Sequence, residues 1–192
     1  MTRSNTKQAG TSSDYARVSD FEQIFVEDMN SLYLLSLLLT GSRERAEKCF
    51  VTGLSECVKA KRVFKGWARS WARRMIFQAA IRLMMAQKND GRTTNTEVVP
   101  RILTETLPLQ REVSAILNLT VFDRIVFVMS TLEQYSDNDC AILLSCRRTD
   151  VGMARSRALR RLANVLGYES SRQTLTIARY FSASLGYERI SV

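Results

Sequence analysis

The chain contains no histidine, only two prolines and only eight glycines among its 192 residues. The absence of histidine excludes Ser-His-Asp triads, histidine general bases and every zinc site that uses a histidine ligand. An all-β protein needs frequent turns, which so few prolines and glycines do not support. We therefore expect an α-helical protein.

The four cysteines show no CxxC spacing, and we recognise no secretory signal before them; they are Cys49, Cys57, Cys140 and Cys146. They predict neither a disulfide framework nor a zinc ribbon, and we interpret them as buried thiols of a cytoplasmic protein. The longest uncharged stretch, residues 29–42, falls short of the roughly 20 apolar residues that a membrane span needs. We predict no catalytic residue, no metal site and no cofactor, and we do not expect an enzyme.

Charge is unevenly distributed along the chain, whose net charge of +9 comes from 22 arginines and six lysines against 19 acidic residues. Residues 20–58 hold seven acids and three bases, a net charge of −4, whereas residues 59–92 hold ten bases and one acid, a net charge of +9. A second basic segment, residues 136–164, has six arginines and three aspartates. Because arginine side chains suit phosphates and base edges, these two segments predict a nucleic-acid partner.

Apolar residues that recur at three- and four-residue intervals predict two groups of helices. The first group is expected from Asp20 to Leu39, from Ser42 to Ala60 and from Val63 to Gln87. The second group is expected over residues 110–118, 121–134, 137–144 and 148–166.

We therefore predict an all-α protein of two small helical domains joined by a linker, the second ending in a helix-turn-helix. The predicted parts are a disordered arm over 1–19, a first domain over 20–87, a linker over 88–109 that contains both prolines, a second domain over 110–166, and an extension over 167–192 with a weak helical pattern.

The last two helices of the second domain are separated by a short turn, and the second of them is basic, a pattern typical of the DNA-binding helix-turn-helix. At about 100° per residue, Val151, Ala154, Ala158 and Leu162 share the face that packs inward. The residues expected to face a major groove are Thr149, Met153, Ser156, Arg157 and Arg160, whereas Arg147, Arg148 and Arg161 are placed for phosphates. An ordinary helical hairpin with a solvated basic face is the alternative.

Aromatic residues are interleaved with basic ones near the middle of the chain, at Phe64, Trp67 and Trp71. This mixture suits single-stranded nucleic acid, because bases stack on aromatic rings while guanidinium groups hold the backbone. A spacing of four is also typical of core aromatics, and by themselves Phe64 and Trp71 are expected in the core.

The order of these segments resembles the extracytoplasmic-function group of bacterial sigma factors, the subunits of RNA polymerase that initiate transcription. The first domain carries two stretches similar to family patterns, LYLLSLLLTGSRERAEKCF and VFKGWARSWARRMIFQAAIR. The second carries DRIVFVMSTLEQYSDNDCAILLSCRRTDVGMARSRALRRL, which is similar to the helix-turn-helix with which the family reads the upstream promoter element.

The resemblance implies promoter DNA and core RNA polymerase as partners, and it leaves open whether an inhibitory anti-sigma protein also binds. The residues that it places on the downstream promoter element, where the duplex melts, are Trp67, Arg69, Arg73, Arg74 and Arg82. It places Glu47 on an acidic helix that grips the polymerase. The residues that it places on the upstream element are Arg147, Arg148, Thr149, Met153, Arg157 and Arg160.

Several positions depart from the family pattern. Lys48 and Val51 replace an acidic residue and a glutamine, and Gly53 weakens the helix by up to about 1 kcal/mol relative to alanine. Ser145 or Cys146 replaces the usual glycine of the turn. Arg155 occupies a position that is commonly an inward leucine, and we expect its stem to cover apolar surface while its head reaches water.

Two alternatives to a sigma-like protein therefore remain open from the sequence. One is a diverged DNA-binding regulator that does not initiate transcription. The other is a helical protein-interaction adaptor, which would need the helices but not the DNA.

Overall fold

A computed structural model describes residues 14–60, 62–88 and 110–167. Within these ranges the protein folds into eight α-helices and no strand, which confirms the predicted all-α class. The N-terminal helices are α1 (Val18–Glu27), α2 (Met29–Thr40), α3 (Arg43–Lys59) and α4 (Ala68–Lys88). The C-terminal helices are α5 (Gln110–Leu117), α6 (Val121–Phe127), α7 (Asp137–Leu144) and α8 (Arg148–Leu166).

Most of the predicted linker and C-terminal extension, and residues 1–13 of the predicted arm, lie outside the described residues. The end of the arm is described, and it differs from the prediction. Helix α1 begins at Val18 rather than Asp20, because the Asp20 carboxylate accepts a hydrogen bond from the Arg17 backbone N–H at 2.7 Å. Asp20 therefore caps the helix from inside its first turn.

The prediction of a single helix from Asp20 to Leu39 is wrong, because the backbone bends at Asp28. Neither glycine nor proline marks this bend in the sequence. In the fold, Glu27 and Asp28 both turn their carboxylates to Arg69 at the start of α4, a contact that local sequence does not reveal.

The helix ends that carry a local sequence signal lie at the predicted positions. Gly41 ends α2 with a φ of 78°, and the Ser42 side chain accepts a hydrogen bond from the Arg45 backbone N–H at the start of α3. Ser136 caps α7 in the same way, accepting from the Asp139 backbone N–H at 3.1 Å. The helix predicted over residues 121–134 changes its hydrogen-bond pattern after Phe127, since Val128–Leu132 forms a π-helical turn.

Helix α2 is the central element of the described fold, which explains the uncharged stretch in the sequence. It packs on α3 and α4 and also on α5 and α6 of the C-terminal half. All its residues from Leu34 to Thr40 are buried, and the hydroxyls of Ser36 and Thr40 donate to the carbonyls of Leu32 and Ser36. A helix that is apolar on all sides needs partners on all sides, and here both halves supply them.

Gly53 has a packing role in α3. A Cβ atom at this position would lie only 2.5 Å from Cδ1 of Ile76, so the glycine allows α3 and α4 to approach closely. The weaker helix propensity noted from the sequence is thus offset by contact between these two helices.

The two halves also meet around Arg124 of α6, which is 5% exposed. Its Nη1 donates to the Leu117 carbonyl at 3.1 Å, and its Nη2 lies 3.5 Å from the Leu39 carbonyl. A Cβ atom on Gly41 would lie 2.6 Å from this Nη2, so the glycine makes room for the guanidinium. Burial lowers the pKa of Arg124 to about 10, and the carbonyl-rich C-terminal ends of α2 and α5 help to accommodate its charge.

Candidate nucleic-acid interface

Two aromatic residues predicted to bind nucleic acid lie on the surface just before α4. A short 3₁₀ turn, Lys65–Trp67, precedes the helix and leaves Trp67 69% exposed and Phe64 46% exposed. Their rings are edge-to-face with centroids 5.7 Å apart. The expectation that Phe64 is a core residue is wrong, because it lies in extended backbone outside the helix, so helical spacing does not apply to it.

Trp71 follows the expectation for a core aromatic. It is half-buried and packs against the hydrophobic core on the first turn of α4. Its indole Nε1 is buried and has no hydrogen-bond partner among the described residues. The two tryptophans, four positions apart, therefore have different environments, with Trp67 available to a partner and Trp71 supporting the fold.

A third ring at this site comes from the N-terminal arm and was not predicted. Tyr15 forms an isolated antiparallel bridge with Phe64, and their rings stack with centroids 4.9 Å apart. The Ala16 N–H donates to the Val63 carbonyl at 2.7 Å, and the Lys65 N–H donates to the Asp14 carbonyl at 2.8 Å. The only sequence signal was an aromatic residue in an otherwise polar segment.

The arginines of α4 that were predicted to bind DNA differ in their acidic partners. Arg69 is hydrogen-bonded to Glu27 and Asp28, and the bond to Asp28 is the main cause that raises the pKa of Arg69. Arg82 lies 3.7 Å from Glu56. Arg74 is exposed and has no acidic partner among the described residues.

Arg73 joins the two halves of the protein. Its Nη2 and Nε donate to the Glu133 carboxylate at 2.8 and 3.1 Å, and its Nη1 donates to the Ser31 hydroxyl at 3.2 Å. The Glu133 side chain is only 6% exposed. The structure therefore places this predicted DNA-binding residue in a partly buried ion pair between the N-terminal and C-terminal helices.

The predicted faces of α8 agree with the structure. The four residues predicted to pack inward, Val151, Ala154, Ala158 and Leu162, are buried. The five predicted to face outward, Thr149, Met153, Ser156, Arg157 and Arg160, are exposed. Three residues connect α7 to α8, and Ser145, which stands in for the usual glycine, adopts a left-handed φ of 51°.

Several arginines of the C-terminal basic segment form ion pairs with carboxylates of the C-terminal helices. Arg157 donates to Asp123 of α6 at 2.7 Å, a bond that raises the pKa of Arg157, and Arg161 lies 3.9 Å from the same carboxylate. Asp123 is 2% exposed. Arg147 is paired with Asp150, and this hydrogen bond lowers the pKa of Asp150.

Arg155 has a partner that the sequence did not predict. Its partly exposed guanidinium is paired with both oxygens of Asp137 at the start of α7. This bidentate pair ties the two helices of the turn together. Arg148 and Arg160, by contrast, are exposed and have no acidic partner in the described part of the chain.

Glu47, the residue predicted to contact polymerase, lies on the exposed surface of α3. Its carboxylate accepts a hydrogen bond from Arg43 Nε at 2.9 Å, one turn earlier on the same helix. A neighbouring pair joins Lys48 to Glu44 at 2.6 Å. The surface that the resemblance assigns to polymerase thus carries both signs of charge.

Within the described ranges, no group of three or more cysteine, aspartate or glutamate side chains is arranged to hold a metal ion. None of the helices in these ranges combines the length and the apolar character of a membrane-crossing helix.

Known structures provide the decisive comparison. No protein-family model and no curated protein sequence matches the chain. The solved structure of the sigma factor RpoE in complex with the anti-sigma factor NepR, from Bartonella quintana, superposes with a TM-score of 0.51 at 20% identity. The match covers 79% of this chain and 99% of that one. The chain has the fold of a bacterial sigma factor.

On this sigma-factor fold, the predicted DNA-binding residues form three groups. The first group is exposed and forms no ion pair among the described residues; its members are Trp67, Arg74, Arg148, Thr149, Met153 and Arg160. Those that are paired at the surface are Arg69, Arg82, Arg147, Arg157 and Arg161. Arg73 alone pairs across the two halves. The sequence resemblance to sigma factors therefore holds at the level of the fold, while the availability of each arginine depends on its partner.

Proposed function

We propose that this protein binds promoter DNA in the manner of a sigma factor and directs core RNA polymerase to start transcription. The observation that carries the proposal is the exposed pair Phe64 and Trp67 at the start of a basic helix of a sigma-factor fold. Exposed aromatic rings are costly in water and suit a partner that offers flat apolar faces, as unpaired bases do.

At the downstream promoter element, Trp67 stacks on a base of the melted strand and Arg74 holds its backbone. Arg74 pairs with no carboxylate among the described residues, whereas Arg69 must leave Glu27 and Asp28 before it reaches a phosphate. Exchange of one exposed ion pair for another costs little, because surface pairs contribute about 0–1 kcal/mol each.

At the upstream element, α8 enters the major groove as the second helix of a helix-turn-helix. Thr149, Met153 and Arg160 meet base edges, and Arg148 meets a phosphate at the start of the helix. Arg157 reads a guanine only by giving up the buried Asp123 carboxylate, so it is a poorer candidate than Arg160.

Two protein partners complete the proposal. Core RNA polymerase binds the surface of α3 that carries Glu47, where the Arg43 pair is exposed enough to rearrange. RpoE of B. quintana was solved with its anti-sigma factor, and we propose that an anti-sigma protein likewise binds this chain. The protein then acts in the cytoplasm as a regulator and carries no catalytic group.

The test combines a pull-down with core polymerase and a run-off assay on a promoter template. The wild type is expected to bind polymerase and to yield a run-off product, and Trp67→Ala is expected to lose product on duplex template but to regain it on a pre-melted template. Val165→Ala, which truncates another exposed apolar residue, serves as the control. Polymerase binding without any product from either template would point to a regulator that does not initiate.

An adaptor function has one observation in its favour, since many guanidinium groups are already paired with carboxylates. Salt dependence separates the two functions. Duplex affinity that falls steeply between 50 and 200 mM salt indicates phosphate contacts, as expected for a DNA-binding protein. Affinity that stays flat over this range supports the adaptor.

A further inference from the structure

Tyr15, Phe64 and Trp67 form a continuous row of rings, which we name the aromatic row. Phe64 is the middle ring, stacked on Tyr15 with an interplanar angle of 25° and edge-to-face with Trp67. Tyr15 is 41% exposed, so all three rings reach solvent. The row brings together residues separated by some fifty positions in sequence.

The backbone holds this row in place. Hydrogen bonds on both sides of the Tyr15–Phe64 bridge join residues 14–16 to residues 63–65, so the Tyr15 ring is positioned by main-chain contacts as well as by stacking. A ring positioned before binding loses little conformational entropy when a ligand stacks on it.

The surroundings of the aromatic row favour an anionic ligand. Arg62 and Lys65 are exposed beside it, and Arg62 adopts a left-handed φ of 63° directly before the bridge. Lys65 forms an ion pair with Asp20 at 3.7 Å, and both side chains are partly exposed, so its ammonium group can exchange this carboxylate for a phosphate at little cost. Apart from its two chain neighbours, no described residue has an atom within 4 Å of the Cβ position of Gly66, so the described part of the fold leaves that side of the row open.

We propose that Tyr15 is a base-stacking residue, and that residues 14–16 form part of a site for unpaired bases of single-stranded DNA. Stacked bases in a duplex hide their faces, whereas unpaired bases offer them to aromatic rings, so the site selects single strands. The proposal deepens the function proposed above, because it adds an N-terminal ring to the surface that receives the melted strand.

The experiment measures the affinity of the full chain for a fluorescent 12-nucleotide oligothymidylate by anisotropy. Tyr15→Ala is expected to weaken binding by about 5- to 150-fold, the range typical of losing one stacked base. Tyr15→Phe keeps the ring and is expected to bind within about twofold of the wild type, and Val18→Ala, a nearby exposed apolar residue, serves as the matched control.

A second oligonucleotide of the same length and charge, made entirely of abasic sites, separates stacking from a structural effect. Since it has no bases, Tyr15→Ala and the wild type are expected to bind it equally. An equal loss on both oligonucleotides would overturn the proposal, because the substitution would then act on the phosphate contacts or on the fold. Unchanged binding of oligothymidylate by Tyr15→Ala would also overturn it.

Failure of this proposal is distinguishable from failure of the proposed function. If the wild type supports run-off transcription but Tyr15→Ala binds oligothymidylate normally, only the role of Tyr15 is refuted. If Tyr15→Ala loses oligothymidylate binding as expected but the wild type yields no transcript, the single-strand site stands and transcription initiation is refuted.

Discussion

The two arginine-rich helices, α4 and α8, use similar side chains in different ways. On α4 the acidic partners come from other parts of the fold, namely α1 and the bend after it, α3 and the C-terminal half. On α8 they come from α6, α7 and its own first turn, all within the same half. Helix α4 also begins beside three exposed rings, whereas the large exposed apolar residues of α8 are Met153 and Val165, neither of them aromatic.

This difference indicates separate roles for the two helices. The pairs on α8 join this helix to α6 and α7, the helices that it packs against. The Arg73–Glu133 pair on α4 instead depends on contact between the halves. A basic segment of the sequence therefore contains two kinds of arginine. Some form ion pairs within the fold, and others are exposed with no acidic partner among the described residues.

The largest expected effect separates the two tryptophans of the α4 region. Trp71→Ala should lower the free energy of unfolding by about 2–3 kcal/mol, because the half-buried indole packs on the core. Trp67→Ala, with its exposed indole, should lower it by less than about 0.5 kcal/mol. Urea denaturation measures both, and equal losses would show that Trp67 is also a core residue.

The next largest effect on stability is expected at the Arg73–Glu133 ion pair, which joins the N-terminal and C-terminal helices. Glu133→Ala should lower the free energy of unfolding by about 2 kcal/mol, because it leaves the partly buried Arg73 without its carboxylate. A double-mutant cycle with Arg73→Ala measures the coupling directly. A coupling energy near zero would mean that the two halves do not depend on this pair.

A smaller effect is expected within the C-terminal half. Arg157→Ala should lower the free energy of unfolding by less than Glu133→Ala does, since the buried Asp123 loses its main hydrogen-bond donor but Arg157 itself is exposed. If Arg157 also reads a guanine, its removal should reduce discrimination between promoters by about 1–3 kcal/mol. Competition binding with matched and altered promoters tests this, and an equal loss on all sequences would reassign the side chain to a phosphate.

The smallest effect on stability is expected at the exposed arginines without acidic partners in the described part of the chain. Arg148→Ala should change the free energy of unfolding by less than about 0.5 kcal/mol. It should nevertheless weaken duplex binding on every sequence and reduce the salt slope by about one, the mark of a lost phosphate contact. A salt slope identical to that of the wild type would place Arg148 outside the interface.

Local signals predicted much of the fold. The end of α2 at Gly41, the caps at Ser42 and Ser136 and the inward face of α8 all follow from side chains within a few residues of the feature. The bend at Asp28 and the surface position of Phe64 could not be predicted in this way. At each place the structure has a contact with a remote segment, since Asp28 pairs with Arg69 and Phe64 forms a bridge with Tyr15.

The sequence predicted which residues form the candidate interface, but not which of their side chains are accessible to a partner. Trp67, Arg74 and Arg160 proved accessible, and Arg73 proved to be engaged with Glu133. Tyr15 was missed, because the polar composition of its segment indicated disorder and gave no sign of the bridge to Phe64.

The sequence by itself determined that this chain is all-helical, that its basic charge lies in two segments and which face of α8 is buried. These properties follow from composition, helical period and capping residues, because they depend on neighbours along the chain. The tertiary structure decided which guanidinium groups are neutralised and which rings meet. Glu133 is 60 positions from Arg73, and Asp123 is 34 positions from Arg157. Ion pairing and ring stacking depend on distance in space, and only folding brings such remote positions within a few ångströms.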